Sequence, residues 1–351
     1  MREAALVTVA QLSEFDEIID TRSEAEFAAD HICDAINCPV LDNEERARVG
    51  TIYKQRSPFE ARKIGSALVS GNISRHLRGR FLDRPRTWRP LVYCWRGGQR
   101  SAAFAHVLSE VGWYTGRLEG GYRAYRRIVI ADLGRQPQAF QWRVVCGLTG
   151  TGKSRLLRAL RAAGAQVLDL EALAAHRGSV LGNLPDAPQP PQKLFESRLW
   201  SELKHLVPDR PVFVEAESRR IGTLGVPEAL IAAMWGAECV VLEASVACRV
   251  ELLKREYGHF IERPETLIAT LGALVPLHSQ ATVDRWKESA RARAWDDLTE
   301  ELLVKHYDPA YSRAIMKHYP ALARATRLKL HDATDDGFSA LAREYLAAAH
   351  P

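Results

Sequence analysis

The run Gly147-Leu-Thr-Gly-Thr-Gly-Lys-Ser154 restricts the fold more than any other stretch, because it joins two segments of different apolar period. Before it, Trp142-Arg-Val-Val-Cys146 reads as a strand. After it, Leu156, Leu157 and Leu160 share one face of a helix that stops at Gly164. Strand, glycine-rich turn and helix in that order make a P-loop. Its glycines let successive N–H groups turn inward around phosphate oxygens, Lys153 reaches the terminal phosphates, and the Ser154 hydroxyl can hold Mg²⁺. The expected anion cradle is Gly147, Thr149, Gly150, Thr151, Gly152, Lys153 and Ser154.

The flanking sequence extends this unit. Gln166-Val-Leu-Asp169 is the next strand, Pro211-Val-Phe-Val-Glu-Ala-Glu-Ser218 a second central one, and Val240-Val-Leu-Glu243 a further one. Glu215 and Glu217 stand where a metal-orienting acid belongs, alternate residues of a strand facing the same way. Asp is the usual residue there, so the metal role stays open; Asp169, Arg219 and Arg220 are further candidates to support metal or phosphate. The proline-rich loop 184–191 is expected to close over a substrate. Arg155, Arg158 and Arg161 read as a solvated basic face.

A second chemical centre lies upstream. The apolar run Leu91 to Tyr93 delivers Cys94 into the turn Trp-Arg-Gly-Gly, and a helix carrying Phe104, Val107, Leu108 and Val111 follows until Gly112. A thiol between a strand and a helix N-terminus, beside Arg96 and Arg100, is favoured as thiolate. Such surroundings take a cysteine from about 8.5 to roughly 3.5–7.5. Gly97 and Gly98 are expected to adopt left-handed conformations and to approach an anion closely. The alternative, an inert buried cysteine, fits poorly with two glycines and two arginines at a helix start.

The segment to about residue 137 alternates strands (Glu17 to Asp20, Ala35 to Val40, Leu91 to Tyr93, Trp113 to Leu118) with helices, which predicts a parallel α/β sheet. Reactive groups belong at the carboxyl ends of such strands, where Asp20 and Cys94 fall. Gly134-Arg-Gln-Pro-Gln138 reads as a boundary, and beyond Arg263 the pattern turns helical. Three regions are expected: 1–137, 138–262 and 263–351. In the third, Trp286, Trp295, Leu298, Leu302 and Leu303 lie among Lys287, Arg291, Arg293, Lys305 and His306. They read either as an RNA-facing surface or as an amphipathic bundle. The last helix, with Phe338, Leu341, Ala342 and Tyr345 on one face, reads as structural.

Composition adds bounds. The chain of 351 residues is 46% hydrophobic and 26% charged, as for a soluble protein with real cores. No apolar run is long enough to span a membrane and Met1-Arg-Glu-Ala carries no secretory pattern, so a cytoplasmic address is expected. Six cysteines without Cys-x-x-Cys pairs argue against a zinc site or a disulfide framework. The net charge of +5, with arginines spread along the chain, permits a polyanionic partner without requiring one.

Ile19-Asp-Thr-Arg-Ser-Glu-Ala-Glu-Phe27, His31-Ile32, Ala35-Ile-Asn37, the Cys94 loop and Leu118-Glu-Gly-Gly121 resemble a rhodanese domain in order and spacing. That resemblance implies sulfur or selenium carried on Cys94. Asp30, Cys33 and Asp34 depart from it, standing where Gly, Pro and Gly are usual. Five residues separate Cys94 from Arg100, the spacing of the phosphatase Cys-x5-Arg cradle. An ATP-dependent phosphotransferase or phosphatase is therefore the rival reading. Tyr93 stands where such loops carry His, which favours chalcogen transfer.

The rhodanese-like domain followed by a P-loop domain of the P-loop NTPase type and a C-terminal helical region resembles the tRNA 2-selenouridine synthases. Glu45-Arg-Ala-Arg-Val-Gly-Thr-Ile-Tyr-Lys54, Leu168-Asp-Leu-Glu171, His176-Arg-Gly-Ser179, Phe195-Glu196, Val214-Glu-Ala-Glu-Ser-Arg219 and His306-Tyr-Asp-Pro309 carry the resemblance. It implies that 2-thiouridine at a tRNA wobble position is geranylated with geranyl diphosphate, and that selenium from selenophosphate then replaces the geranylthio group. On that basis Cys94, Arg96 and Arg100 are the catalytic set. Gly97, Gly98, Gln99 and Ser101 would hold selenophosphate, the P-loop would hold the diphosphate with Mg²⁺, and a selenophosphate-supplying enzyme is an expected partner. The number of copies that assemble is left open.

Overall fold

The computed structural model describes residues 3–179 and 181–349. The chain forms two compact units: residues up to Leu133 together with Pro191–Ser201, and Gly134–Pro190 together with the residues from Glu202 onward.

The first unit is built on a parallel sheet of β1 (Ala5–Val7), β2 (Glu17–Asp20), β3 (Ile36–Asn37), β4 (Pro90–Tyr93) and β5 (Gly116–Leu118), in the order β1-β5-β4-β2-β3. Every residue of β4 is buried, which is why it reads as a continuous apolar run rather than an alternating one. β2 and β4 are in register from Glu17 opposite Pro90 to Asp20 opposite Tyr93, so both strands end at the same level. The helix Gln99–Val111 packs Phe104, Ala105 and Leu108 on the sheet and ends at Gly112 with φ 109°; Val111 is exposed. Burying Phe104 and Leu108 contributes about 1.5–3 kcal/mol each. Phe81 stacks on Trp88 with ring centres 5.1 Å apart, and Trp113 meets Trp88 edge-on, closing this core. The arginine-rich stretch forms two helices, Asn43–Gln55 and Pro58–His76, started by Asp42 and by Ser57 with proline in the first turn.

The second unit carries a parallel sheet of β6 (Trp142–Cys146), β7 (Gln166–Leu168), β8 (Val212–Glu215), β11 (Glu238–Glu243) and β12 (Thr326–Lys329), ordered β12-β11-β6-β8-β7. Between β8 and β11, β9 (Arg220–Ile221) and β10 (Leu224–Gly225) make a separate hairpin. The region beyond Arg263 is helical as expected and also supplies β12. That strand gives no period-2 signal, since Leu328 is its only buried residue. The helix Asp335–Ala349 covers one sheet face with Phe338 and Ala342, against Leu156, Leu157, Leu160 and Phe213. A second core gathers Leu267, Leu271, Val283, Trp286, Leu298 and Leu302. Trp286 is fully buried and its indole N–H donates to Glu301, so it is packing rather than a base-stacking surface. The six cysteines are unbridged, and no described helix is long and apolar enough to cross a membrane.

Candidate functional site

Cys94 follows β4 directly and is 3% exposed. The buried Ser101 hydroxyl lies 3.2 Å from its Sγ and 3.2 Å from the Gly98 carbonyl oxygen, so its single proton serves one or the other. A charged sulfur is the stronger acceptor and would draw that proton. Arg100 reaches Glu26 at 3.0 Å, and Glu26 also receives Arg46 at 2.9 Å. Burial alone would raise the Glu26 carboxyl, but the hydrogen bond from Arg100 and the charges of both arginines outweigh it and hold it below the usual range. Arg96 is exposed and pairs with no acid among the described residues; Gln99 begins the helix and is also exposed.

The glycines divide differently from expectation. Gly97 is left-handed at φ +67°, and a Cβ there would come 2.8 Å from the Leu118 carbonyl oxygen. Gly98 has φ −90° and open space around it, so its expected left-handed role is not found. That role falls to Gly121. At φ +58° it packs so closely under the loop that a Cβ would stand 2.2 Å from the Cys94 carbonyl oxygen. The Tyr122 N–H donates to that same oxygen at 2.8 Å.

Asp20, at the carboxyl end of β2, is not a reactive group. It is engaged by Arg22, which is 1% exposed, donates to Asp20 at 2.6 Å and lies 4.0 Å over the Tyr122 ring. Asp30, standing where rhodaneses have glycine, receives the Tyr122 hydroxyl at 2.7 Å. The Tyr93 hydroxyl accepts the Ile32 N–H at 3.2 Å, and burial pushes the phenol well above its ordinary value. Tyr93 is thus no proton donor for a leaving alcohol.

In the second unit the P-loop borders a cleft of about 630 Å³. Thr149, Gly150, Gly152, Lys153 and Ser154 line it, together with Glu171, Arg177, Glu217, Tyr257, Tyr307 and Tyr311. The loop's polar groups are occupied by the protein itself. Lys153 Nζ donates to the Gly147 carbonyl at 3.0 Å, the Gly147 N–H donates to the Tyr311 hydroxyl at 2.9 Å, and Ser154 Oγ donates to Glu171 at 2.7 Å. Thr151, expected among the anion ligands, points inward: its N–H and hydroxyl both donate to the Leu148 carbonyl, and it is 1% exposed. Gly152 is left-handed at φ +86° and a Cβ there would strike the Phe338 ring at 2.4 Å. The helix Asp335–Ala349 therefore sets the height of the P-loop as well as covering the sheet.

The carboxylates also separate. Glu215 is fully buried, accepts the Glu171 N–H at 2.8 Å and leaves its Oε2 without a partner. It does not line the cleft, whereas Glu217 does. Burial first, and Glu171 second, push Glu217 up to about 8; Glu171 is raised mainly by burial. Asp169 lines the cleft and caps the helix Leu170–Ala174 by accepting the Ala172 N–H at 2.9 Å. Arg219 lies 5.1 Å over Trp235, and neither it nor Arg220 lines the cleft. Of the supposed basic face, Arg155 pairs with Glu256 and Asp335, Arg161 donates to the Val167 carbonyl, and Arg158 lines the cleft. Leu184, from the proline-rich loop, lines it too. Among the described residues no three His, Cys, Asp or Glu side chains converge on a metal position.

Sequence reasoning missed the residue that holds the P-loop from behind. Arg249, 2% exposed, donates to the Thr149 carbonyl at 2.8 Å and grips Asp308 with both guanidinium nitrogens at 3.0 and 2.5 Å. His306 lines the cleft and meets His278 at 2.9 Å. The run His306-Tyr-Asp-Pro309 signalled Asp308 and His306, the latter also read among the candidate RNA-facing residues, but nothing signalled Arg249.

A smaller, mostly apolar recess of about 80 Å³ shares Thr149, Ser179, Leu253, Tyr257 and Tyr307 with the cleft. It runs on between Phe260, Leu267, Trp295, Leu298 and Leu302. The P-loop cleft and this apolar recess thus share a wall.

Comparison with known proteins follows the same division. Residues 7–128 match the rhodanese-like domain family, and residues 140–273 match the tRNA 2-selenouridine synthase AAA domain. A tRNA 2-selenouridine synthase from Hydrogenovibrio crunogenus is 32% identical over 334 residues, covering 86% of this chain and 89% of that protein. Those from Nitrosomonas europaea and Marinobacter nauticus are each 35% identical over 68% of this chain. The matched part spans only 63% and 65% of their own lengths.

Proposed function

The chain belongs to the tRNA 2-selenouridine synthase family, and from that premise we propose that it geranylates 2-thiouridine at the tRNA wobble position and then exchanges the geranylthio group for selenium. The P-loop cleft would serve the first step. Lys153, Ser154 and the amides of Gly150 and Gly152 would neutralise the diphosphate of geranyl diphosphate as its allylic C–O bond breaks. The thiocarbonyl sulfur of the nucleoside is the nucleophile.

The apolar recess that shares a wall with the P-loop cleft carries this reading. A nucleoside triphosphate has no hydrocarbon to place there, whereas a prenyl diphosphate has a head for the cradle and a tail for the recess. Each buried CH₂ of such a tail is worth about 0.8 kcal/mol. Oxygen donors at Ser154 and Glu171 suit Mg²⁺, which would add positive charge at the leaving diphosphate.

The Cys94 loop would serve the second step. Exposed Arg96 and the helix N-terminus at Gln99 would attract selenophosphate, while Arg100 is held in place by Glu26. Cys94 would assist selenium delivery: its thiolate, with the Ser101 hydroxyl as hydrogen-bond donor, would attack the phosphorus of selenophosphate, the P–Se bond breaking so that selenide leaves and displaces geranylthiol at C2, while water hydrolyses the S-phosphocysteine. The buried hydroxyl of Tyr93 favours this over phosphate-ester hydrolysis.

The test is to incubate purified protein with 2-thiouridine RNA and geranyl diphosphate, add selenophosphate, and follow the nucleoside mass. Cys94→Ser should accumulate the geranylated nucleoside, and Lys153→Ala should form none. Normal geranylation by Lys153→Ala would overturn the assignment of the cradle.

A further inference from the structure

Alkylating the sulfur of a 2-thiouracil ring leaves a proton to be removed. As the sulfur lone pair forms the C–S bond, the prenyl C–O bond breaks and its electrons leave with the diphosphate. The neutral thioether then requires the N3–H bond to give its electron pair to a C2–N3 double bond. Something in the cleft must accept that proton.

We propose that His306 is the catalytic base that removes the N3 proton, and that His278 is the positioning residue that holds its imidazole for the task. This rests on the prenyl-transfer reading given above. His306 is 8% exposed, lines the P-loop cleft beside Lys153 and Tyr311, and approaches His278 through Nδ1, 2.9 Å from His278 Nε2. Its own Nε2 makes no hydrogen bond among the described residues. His278 is packed edge-on against the buried Trp286, ring centres 4.9 Å apart, which fixes its direction. With the His306 Nδ1 proton donated to His278, the free Nε2 lone pair is the acceptor. Taking up the substrate proton makes an imidazolium whose Nδ1–H bond to His278 is strengthened, the arrangement by which a base is oriented by a third group.

Burial, then the neighbouring His278, lowers the His306 pKa from 6.5, so the base is neutral at pH 7. His278 is in contact with it and Tyr307 edge-on at 4.7 Å, and the cleft lining it shares carries Lys153, Arg158, Arg177, Asp169, Glu171, Glu217, Glu256, His176, His318, Tyr257, Tyr311 and Tyr319.

The experiment measures single-turnover geranylation of 2-thiouridine RNA by mass spectrometry from pH 5.5 to 9.5, with the full chain, His306→Gln and His278→Gln. Loss of a general base costs about 10²–10⁴-fold. His306→Gln should fall by that factor at pH 7 and recover toward pH 9.5 as the substrate's own N3 ionises. His278→Gln should lose about tenfold with binding of inorganic pyrophosphate unchanged. A His306→Gln rate equal to wild type at pH 7, or a deficit constant across the pH range, would overturn the role. Absence of product from the wild-type protein would instead overturn the prenyl-transfer reading on which it rests.

Discussion

The Ser154 hydroxyl donates to Glu171 at 2.7 Å, so the residue that a P-loop offers to a metal ion is held by a carboxylate from the helix Leu170–Ala174. Glu171 in turn donates its own N–H to buried Glu215, and its carboxyl is raised mainly by burial. Glu217, pushed up to about 8, is then the acid group of the cleft that would release a proton when a cation enters. Glu171→Ala should free Ser154 and lower Mg²⁺ affinity, measured by calorimetry.

Glu217 titrates at about 8 in the folded protein and near 4.5 when unfolded. The folded state thus binds more protons between these values, and stability must fall as pH rises from about 4.5 through 8. Glu217→Gln removes that dependence. Thermal unfolding from pH 5 to 9 should show a shallower decline for Glu217→Gln than for wild type; parallel curves would contradict the assignment.

Gly121→Ala sets a methyl group against the Cys94 carbonyl oxygen at a backbone angle that alanine rarely adopts, whereas Gly98→Ala meets nothing within 4 Å. The first should cost about 2 kcal/mol or more in urea unfolding and disturb the reaction of Cys94 with thiol reagents. The second should change either by little.

Arg249 links the Thr149 carbonyl to Asp308 while almost fully buried. Asp308→Ala leaves a guanidinium without its counter-charge, at a cost of about 3 kcal/mol. Pyrophosphate affinity, measured by calorimetry, should weaken with it because the loop loses a fixed carbonyl. Arg249→Met should restore part of the stability but not the affinity.

Thr299 borders the apolar recess and is half-buried, so Thr299→Phe narrows it without emptying the core. Excluding two or three methylene groups from burial corresponds to about 2 kcal/mol, roughly thirty-fold. The KM for geranyl diphosphate should rise by that factor while inhibition by inorganic pyrophosphate stays the same.

Both anion loops were legible because each compresses strand, glycine turn and helix start into ten residues, and local sequence decides local shape there. β2 and β6 match the expected runs end to end, Glu17–Asp20 and Trp142–Cys146. What sequence order hides is support from afar. Gly121 under Cys94, Phe338 under Gly152 and Arg249 behind Thr149 are contacts across long separations, and no periodicity announces them. β1 and β12 escaped for another reason: each buries a single residue, Val7 or Leu328, so neither alternates visibly. Gly98 was misread because a glycine was taken to need a left-handed backbone, whereas its φ is −90°.

The partnership of β11 with β12 has a consequence for biosynthesis. The strand Thr326–Lys329 and the Phe338 ring beneath Gly152 emerge from the ribosome about 170 residues or more after the glycines they complete. Residues far downstream must be made before the P-loop has its floor, whereas the glycines that pack under the cysteine loop, Gly120 and Gly121, follow it within thirty residues. During translation the contacts under Cys94 become available early, and the P-loop is finished late.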